Sequence, residues 1–243
     1  MKIKEKKIVR LNKYHLIRNF PKRFSYFKRI LGNIIFFILV TKVTLRKNHL
    51  AIADYLAAKD LIKAGDVILA GGFRSVSHFF MGKFFTHSLL YAGGGECIHA
   101  SADGVDTITL EELFTEYDTL IILRPEISSE AGKIVGQVVD FARSQIGKPF
   151  DFYLEHHNDS YFCTQLVKKS FDAAGFDVGV GVQPKIRQDF LWIFWRIRRA
   201  LRADDFLRGN FTKIFISEGL KEKNKEIEAL CTKFKKNIID SNL

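Results

Sequence analysis

Three consecutive glycines, Gly93-Gly94-Gly95, constrain this chain more than any other feature. They separate two short apolar runs, His87–Tyr91 (HSLLY) and Glu96–Ala100 (ECIHA). Two runs joined by so short a glycine link must fold back on one another as an antiparallel hairpin. Three more stretches have strand character. Val67–Ala70 follows the turn Ala64-Gly65-Asp66, Asp106–Thr109 is short, and Thr119–Arg124 (TLIILR) is ended by Pro125. Elsewhere the period changes to that of a helix. Ala131, Ile134, Val135, Val138, Phe141 and Ala142 fall on one face, with Ser128 or Ser129 as the expected cap, Gly147 as the stop and Pro149 barring resumption. Phe162–Ala174 carries Cys163, Leu166, Val167, Phe171 and Ala174 on one stripe and closes at Gly175. Asn48–Ile62 reads as a helix capped by Asn48, and Thr109-Leu110-Glu111-Glu112 is a capping box opening a short one. His78–Phe85 is an aromatic-rich loop or short helix. Mostly antiparallel strands with helices grouped after them make an α+β fold.

The hairpin matters chemically. A tight turn lets strands 87–91 and 96–100 pair so that His87 and His99 fall on one face, close to opposite each other. Cys163 stands at the expected start of a helix, where unpaired N–H groups and the helix dipole favour an anion and would lower a thiol pKa. The same N–H groups could stabilise an oxyanion. A thiol nucleophile needs a base, His87, and the base needs an orienting polar partner. Glu96 competes with His99 for that third role. Being three residues from His99 on a strand, however, it should face the other side, and His99 is the preferred member. Tyr161, two residues before the cysteine, either lines the site or packs, and packing is the simpler role. A cysteine in an apolar helix, or a histidine at a strand end, is by itself ordinary. The joint placement of nucleophile, base and orienter is what points to acyl transfer.

In this order, histidine, polar residue, cysteine, the chain resembles the circularly permuted NlpC-type papain-like cysteine hydrolases, the YiiX/YebB-like group, whose arrangement the lecithin:retinol acyltransferase-like enzymes share. The matching pieces are Gly65-Asp66-Val67-Ile68-Leu69, Thr86-His87-Ser88-Leu89-Leu90-Tyr91, Cys97-Ile98-His99-Ala100, Gly147-Lys148-Pro149-Phe150-Asp151 and Tyr161-Phe162-Cys163-Thr164-Gln165-Leu166-Val167. The resemblance covers roughly residues 60–180. It implies a papain-like core of permuted topology, an antiparallel sheet or small barrel packed on helices. It also implies Cys163 as nucleophile, His87 as base and His99 as third member. Bacterial relatives commonly have Glu where this chain has His99, and Ser-Glu-Leu where it has Thr164-Gln165-Leu166.

The formal net charge of +11 is not spread evenly. Residues 1–48 hold 14 Lys/Arg and one acid, Glu5, leaving 24 Lys/Arg against 26 Asp/Glu in the rest. The basicity therefore belongs to an N-terminal extension and suits an anionic surface. Nucleic acid is the weaker candidate, because it rests on that charge alone. Ile30–Thr41 is a charge-free run of twelve, short of the roughly twenty residues a spanning helix needs. An interfacial or re-entrant helix is expected, with a helix buried against the main domain as the alternative. Phe190–Trp195, followed by Arg196, Arg198 and Arg199, also has an interfacial look.

Three parts are expected: a basic and apolar, membrane-interacting extension over 1–48, a thiol hydrolase domain over 49–183, and a basic, amphipathic helical extension over 184–243. Three cysteines without a CxxC pair suggest neither a disulfide framework nor a zinc site, and the seven histidines show no ligand-like grouping, His156-His157 being a bare pair in a polar loop. No metal or organic cofactor is implied. The function expected first is a cysteine hydrolase or acyltransferase on an amide or ester bond, with a lipid-like substrate at a membrane surface, on the cytoplasmic face. A peptidoglycan-type amidase comes second and an inactive membrane-binding module third.

Overall fold

A computed structural model describes residues 16–17, 19–40, 50–71, 84–154, 158–181 and 201–228. Asn48, most of the His78–Phe85 stretch, His156-His157, the Phe190–Arg199 segment, Cys231 and the Lys-rich tail lie outside them. In chain order the elements are α1 (Tyr26–Val40), α2 (Ile52–Leu61), β1 (Val67–Gly71), β2 (His87–Gly93), β3 (Glu96–Ser101), β4 (Gly104–Thr109), α3 (Leu110–Glu116), β5 (Thr119–Pro125), α4 (Ala131–Ser144), α5 (Cys163–Ala173) and β6 (Phe211–Ile216), the last flanked by two 3₁₀ turns. The expected α+β class is the observed one. The strands form one antiparallel sheet in the order β4-β3-β2-β1-β5-β6.

Alternation along the strands builds two apolar layers. Val67, Leu69, Leu90, Ile98, Ile121 and Leu123 face α4 and α5, meeting Val138, Ala142, Leu166, Val167 and Phe171. Ile68, Ala70, Leu89, Leu120 and Ile122 face the other way, onto Ala58 of α2 and Leu113 of α3. Covered on both sides, the central strands are apolar at nearly every position, as VILAG and TLIILRP show. A third cluster joins Phe24 and Phe36 of the N-terminal region to Phe152, Tyr153 and Ala102.

The helix ends differ in detail from expectation. The capping box of α3 forms, with Thr109 Oγ1 accepting from Glu112 N–H and Glu112 Oε2 from Thr109 N–H. Neither Ser128 nor Ser129 caps α4; the chain enters it through Glu130, whose φ of 50° is left-handed. Helix α2 begins at Ile52 after Ala51, where the Asp54 carboxylate accepts the Ala51 N–H at 3.0 Å and the Glu218 N–H at 2.9 Å. Residues 211–216 form the sixth strand, where a helical extension was expected. Phe206, Phe211, Leu220 and Ile227 enter the main core, so this stretch completes the sheet. FTKIFI lies in charged surroundings and has its edge covered only by folding onto β5, a non-local event.

Gly65-Asp66 owes its place to a structural clamp. Asp66 is buried, and its two carboxylate oxygens accept Arg124 Nε at 2.9 Å and Arg124 NH2 at 2.7 Å, while Lys63 N–H adds a third bond at 2.8 Å. The clamp ties the start of β1 to the end of β5 and lets Asp66 O accept Tyr91 N–H from β2 at 2.9 Å. Removing one partner of a buried pair strands the other charge. Arg124→Ala, which strands the buried Asp66 carboxylate, should therefore lower stability by about 3 kcal/mol in urea unfolding, with Asp66→Ala costing less because the guanidinium it strands is partly exposed.

Candidate active site

The site forms where one seam of the sheet opens. Strand β2 stays paired with β1 as far as His87, which registers with Ala70. Its ladder with β3 runs only from Gly93–Glu96 to Leu90–Ile98, with a bulge between Tyr91 and Gly93. Strand β3 meanwhile remains on β4 down to Ser101–Gly104. N–H groups alternate between the two neighbours of a strand. Since Tyr91 N–H bonds Asp66 O, just before β1, that of Leu89 points to β1 likewise, and those of Leu90 and Ser88 turn toward β3. At Ser88 the ladder with β3 has ended.

The N-terminus of α5 is delivered to that opening by the Gly147-Lys148-Pro149-Phe150-Asp151 stretch. Gly147 N–H bonds Val105 O, and Lys148 O accepts Val105 N–H, both at 2.8 Å, which fastens the stretch to β4. A Cβ at Gly104 would lie 2.4 Å from Lys148 O, so that approach requires glycine. Tyr161 N–H then bonds Pro149 O at 3.0 Å and Asp151 N–H bonds Tyr161 O at 2.9 Å, which sets Cys163 two residues on. The thiol is buried, and the polar groups that act on it are the Ser88 N–H and hydroxyl and the N–H groups of Thr164 and Cys163. Burial pushes the thiol pKa up, and these groups pull it back without cancelling the rise. The helix start favours the thiolate as expected, but desolvation outweighs it, and the resting group is a neutral thiol.

His87 and His99 are brought together. His87 Nε2 and His99 Nδ1 are 2.9 Å apart, with the rings near perpendicular. Continuing the β2–β3 register would place Ser101 across from His87, so the pair is diagonal; His99 is two residues from that position and so shares its face. His99 is buried and His87 partly exposed. Burial, then the neighbouring His99, pushes the His87 pKa well below its ordinary value, so its imidazole is neutral at neutral pH. Tyr117, just after α3, stacks on the His87 ring at 5.7 Å between centroids and 4° between planes. With Nε2 engaged by His99, Nδ1 is the nitrogen left to accept a proton.

Cys163 touches Ser88, the chain neighbour of His87, and lies at the open seam, whereas the two imidazoles lie on the α3 side of the sheet. Glu96 is elsewhere: its carboxylate pairs with Arg143 of α4, and it stands at the hairpin end of β3. Tyr161 is buried, and its hydroxyl donates to Gln145 Oε1 at 2.9 Å, which is a packing role. Cys97, buried on β3, has its thiol pushed up to about 12 by burial and by nearby Glu96 and Glu111. Two residues were not anticipated, Ser88 and Tyr117. Ser88 Oγ is fully buried and makes no hydrogen bond of ordinary geometry. A hydroxyl inside the apolar HSLLY run was the available signal; nothing in the sequence marks Tyr117.

The chain matches the family described as "Permuted papain-like amidase enzyme, YaeF/YiiX, C92 family" over residues 61–191. Among solved structures, the metalloprotein yiiX from Escherichia coli O157:H7 superposes with a TM-score of 0.50 at 18% identity, covering 64% of this chain and 97% of that one. At that identity the likeness is one of fold. No curated protein matches. Among the described residues no group of three His, Cys, Asp or Glu is placed to hold a metal ion, and the facing nitrogens of His87 and His99 bond each other.

The contacts at sulfur make a prediction. Ser88→Ala removes one donor and should raise the Cys163 thiol pKa. Alkylation by iodoacetamide at neutral pH should slow about fivefold, as for a hydrogen bond worth about 1 kcal/mol.

Proposed function

The chain belongs to the permuted papain-like amidases of the YaeF/YiiX, C92 family, and from that premise we propose that Cys163 is the nucleophile of an amide hydrolase, with His87 as base and His99 orienting it. The observation that carries this reading is the His87 Nε2–His99 Nδ1 bond of 2.9 Å, next in the chain to the residue that holds the Cys163 thiol. It leaves His87 Nδ1 on a neutral imidazole, which is the state a base must start from.

The steps follow. His87 Nδ1 takes the thiol proton as sulfur bonds to the amide carbonyl carbon, and its Nε2–H donates to His99 Nδ1. The carbonyl oxygen becomes an oxyanion and is met by N–H groups of the first turn of α5. Collapse breaks the C–N bond, and the amine leaves with the proton from His87. The resulting thioester is opened by water, which His87 deprotonates, and the acid departs as the thiol is restored. A buried, protonated thiol makes the base indispensable, since little thiolate exists before substrate arrives. The acyl group is read as lipid-like. Support comes from α1, which packs one face on the segment leading to Cys163 and exposes an apolar stripe on the other.

A fatty-acyl p-nitroanilide tests the reading, with nitroaniline release followed by absorbance. Cys163→Ala should abolish release, and His87→Ala should lower kcat/KM by about 10²–10⁴. Retention of activity by Cys163→Ala would sink the proposal. The acid limb of the kcat/KM profile should lie below pH 6.5, because the His87 pKa is depressed and the base stays unprotonated until the pH falls through it. His99→Glu places a carboxylate at Nε2 that favours the imidazolium, and should move that limb to higher pH.

A further inference from the structure

Helix α1 presents an apolar stripe to solvent. Tyr26 is 80% exposed, Phe27 72%, Ile34 54%, Phe37 52% and Ile38 57%, and with Ile30 they fall on one face. The opposite face is packed: Phe36, with Phe24 just before the helix, sits on Phe152 and Tyr153. Fifteen residues reach about 22 Å, short of the roughly 30 Å hydrocarbon core, and among the described residues no helix is long and apolar enough to cross a membrane. The helix can lie in an interface and cannot span one.

We infer that the Tyr26–Ile38 face of α1 is a docking surface for an anionic lipid bilayer. Charge chooses this occupant. Residues 1–48 carry 14 Lys/Arg and one acid, so a second copy of the same face would bring like charges together. A polyphosphate chain would satisfy the charge and leave the apolar stripe in water. A bilayer with acidic headgroups meets both, the aromatic Tyr26 and Phe27 suiting the headgroup level and the aliphatic residues the acyl boundary.

The surface is fastened to the segment that carries the nucleophile. The Tyr153 hydroxyl donates to Lys28 O, and the Lys28 ammonium lies 4.1 Å from the Phe24 ring centroid and 4.8 Å from that of Tyr153. Arg23 pairs with Asp159 and reaches Ser160 Oγ at 3.3 Å, and Asn19 Nδ2 donates to Gly147 O at 3.1 Å. Four side chains thus tie the N-terminal region to residues 147–160, which lead into Cys163. A docked α1 holds this loop at the lipid surface, where an acyl substrate resides. The docking deepens the lipid-like reading of the substrate and does not use the thiol.

The test is co-sedimentation of the full chain with sucrose-loaded vesicles of phosphatidylcholine, with or without phosphatidylglycerol. Wild type should bind the mixed vesicles, bind pure phosphatidylcholine at least about tenfold more weakly, and weaken as salt is raised. The double variant Ile34→Asp/Phe37→Asp should lower partitioning at least about tenfold, with circular dichroism melting unchanged because both side chains are exposed. Cys163→Ala should bind as wild type does, which separates failure of docking from failure of the thiol mechanism. Absence of binding to mixed vesicles, equal binding to neutral ones, or wild-type binding by the double variant overturns the inference. So does an oligomer in sedimentation velocity that the double variant dissolves, since a second copy would then be the occupant.

Discussion

A sheet whose second strand is bonded along its whole length on one side, but only near its turn on the other, leaves backbone donors without a strand partner. In this chain those donors lie at the Ser88 end of β2, and the fold fills the gap with the first turn of α5. A buried N–H needs a polar neighbour, and the Ser88 N–H is close enough to the Cys163 sulfur to favour its thiolate. The imidazoles arise from the same opening. With β3 no longer paired to β2 beyond Ile98, His99 can meet His87 diagonally instead of being held across from residue 89. The bulge at Tyr91–Gly93, the glycine turn and the attachment of Gly147-Lys148 to Val105 all keep the seam open at one end and closed at the other.

Two opposing effects set the protonation of the pair. Donors around sulfur stabilise a thiolate, and burial disfavours it more strongly. Burial and the neighbouring ring likewise keep His87 uncharged. Both groups therefore rest uncharged, the thiol at the Ser88 seam and the imidazole on the α3 side of the sheet. An imidazole at position 99 in place of a carboxylate suits that state, because a fixed negative charge would draw the proton onto His87 before substrate arrives. Cys97 illustrates the contrast: buried and among acidic groups, its thiol is pushed up to about 12.

The pieces that resembled a family turned out to have unlike physical roles. Gly65-Asp66 is a clamp that stabilises β1 against β5. Gly147-Lys148-Pro149 is a positioner, and Tyr161 a packing residue bonded to Gln145. His87, His99 and Cys163 are the residues to which the proposed chemistry is assigned. The N-terminal region, separable by charge, is not separate in structure, since Phe24, Arg23 and Tyr153 bind it to the loop before the nucleophile.

What could be read in the residues were features with short-range causes. Glycine at 93–95 dictates a hairpin, period 2 and period 3.6 distinguish β1–β5 from α4 and α5, Thr109 and Glu112 cap each other, and Cys163 falls at a helix start. Each depends on residues close in sequence, so the pattern was sufficient to give the α+β class and the candidate residues. What only the tertiary structure decided depended on distant partners. FTKIFI became a strand because β5 offered it an edge, and Glu130 replaced a serine at the start of α4. The register came to rest two residues from the simplest pairing, with a one-residue bulge between Tyr91 and Gly93. The sign of the thiol shift was likewise decided there: the helix dipole is a local property of the chain, but burial is a property of the whole fold, and at Cys163 burial is the larger.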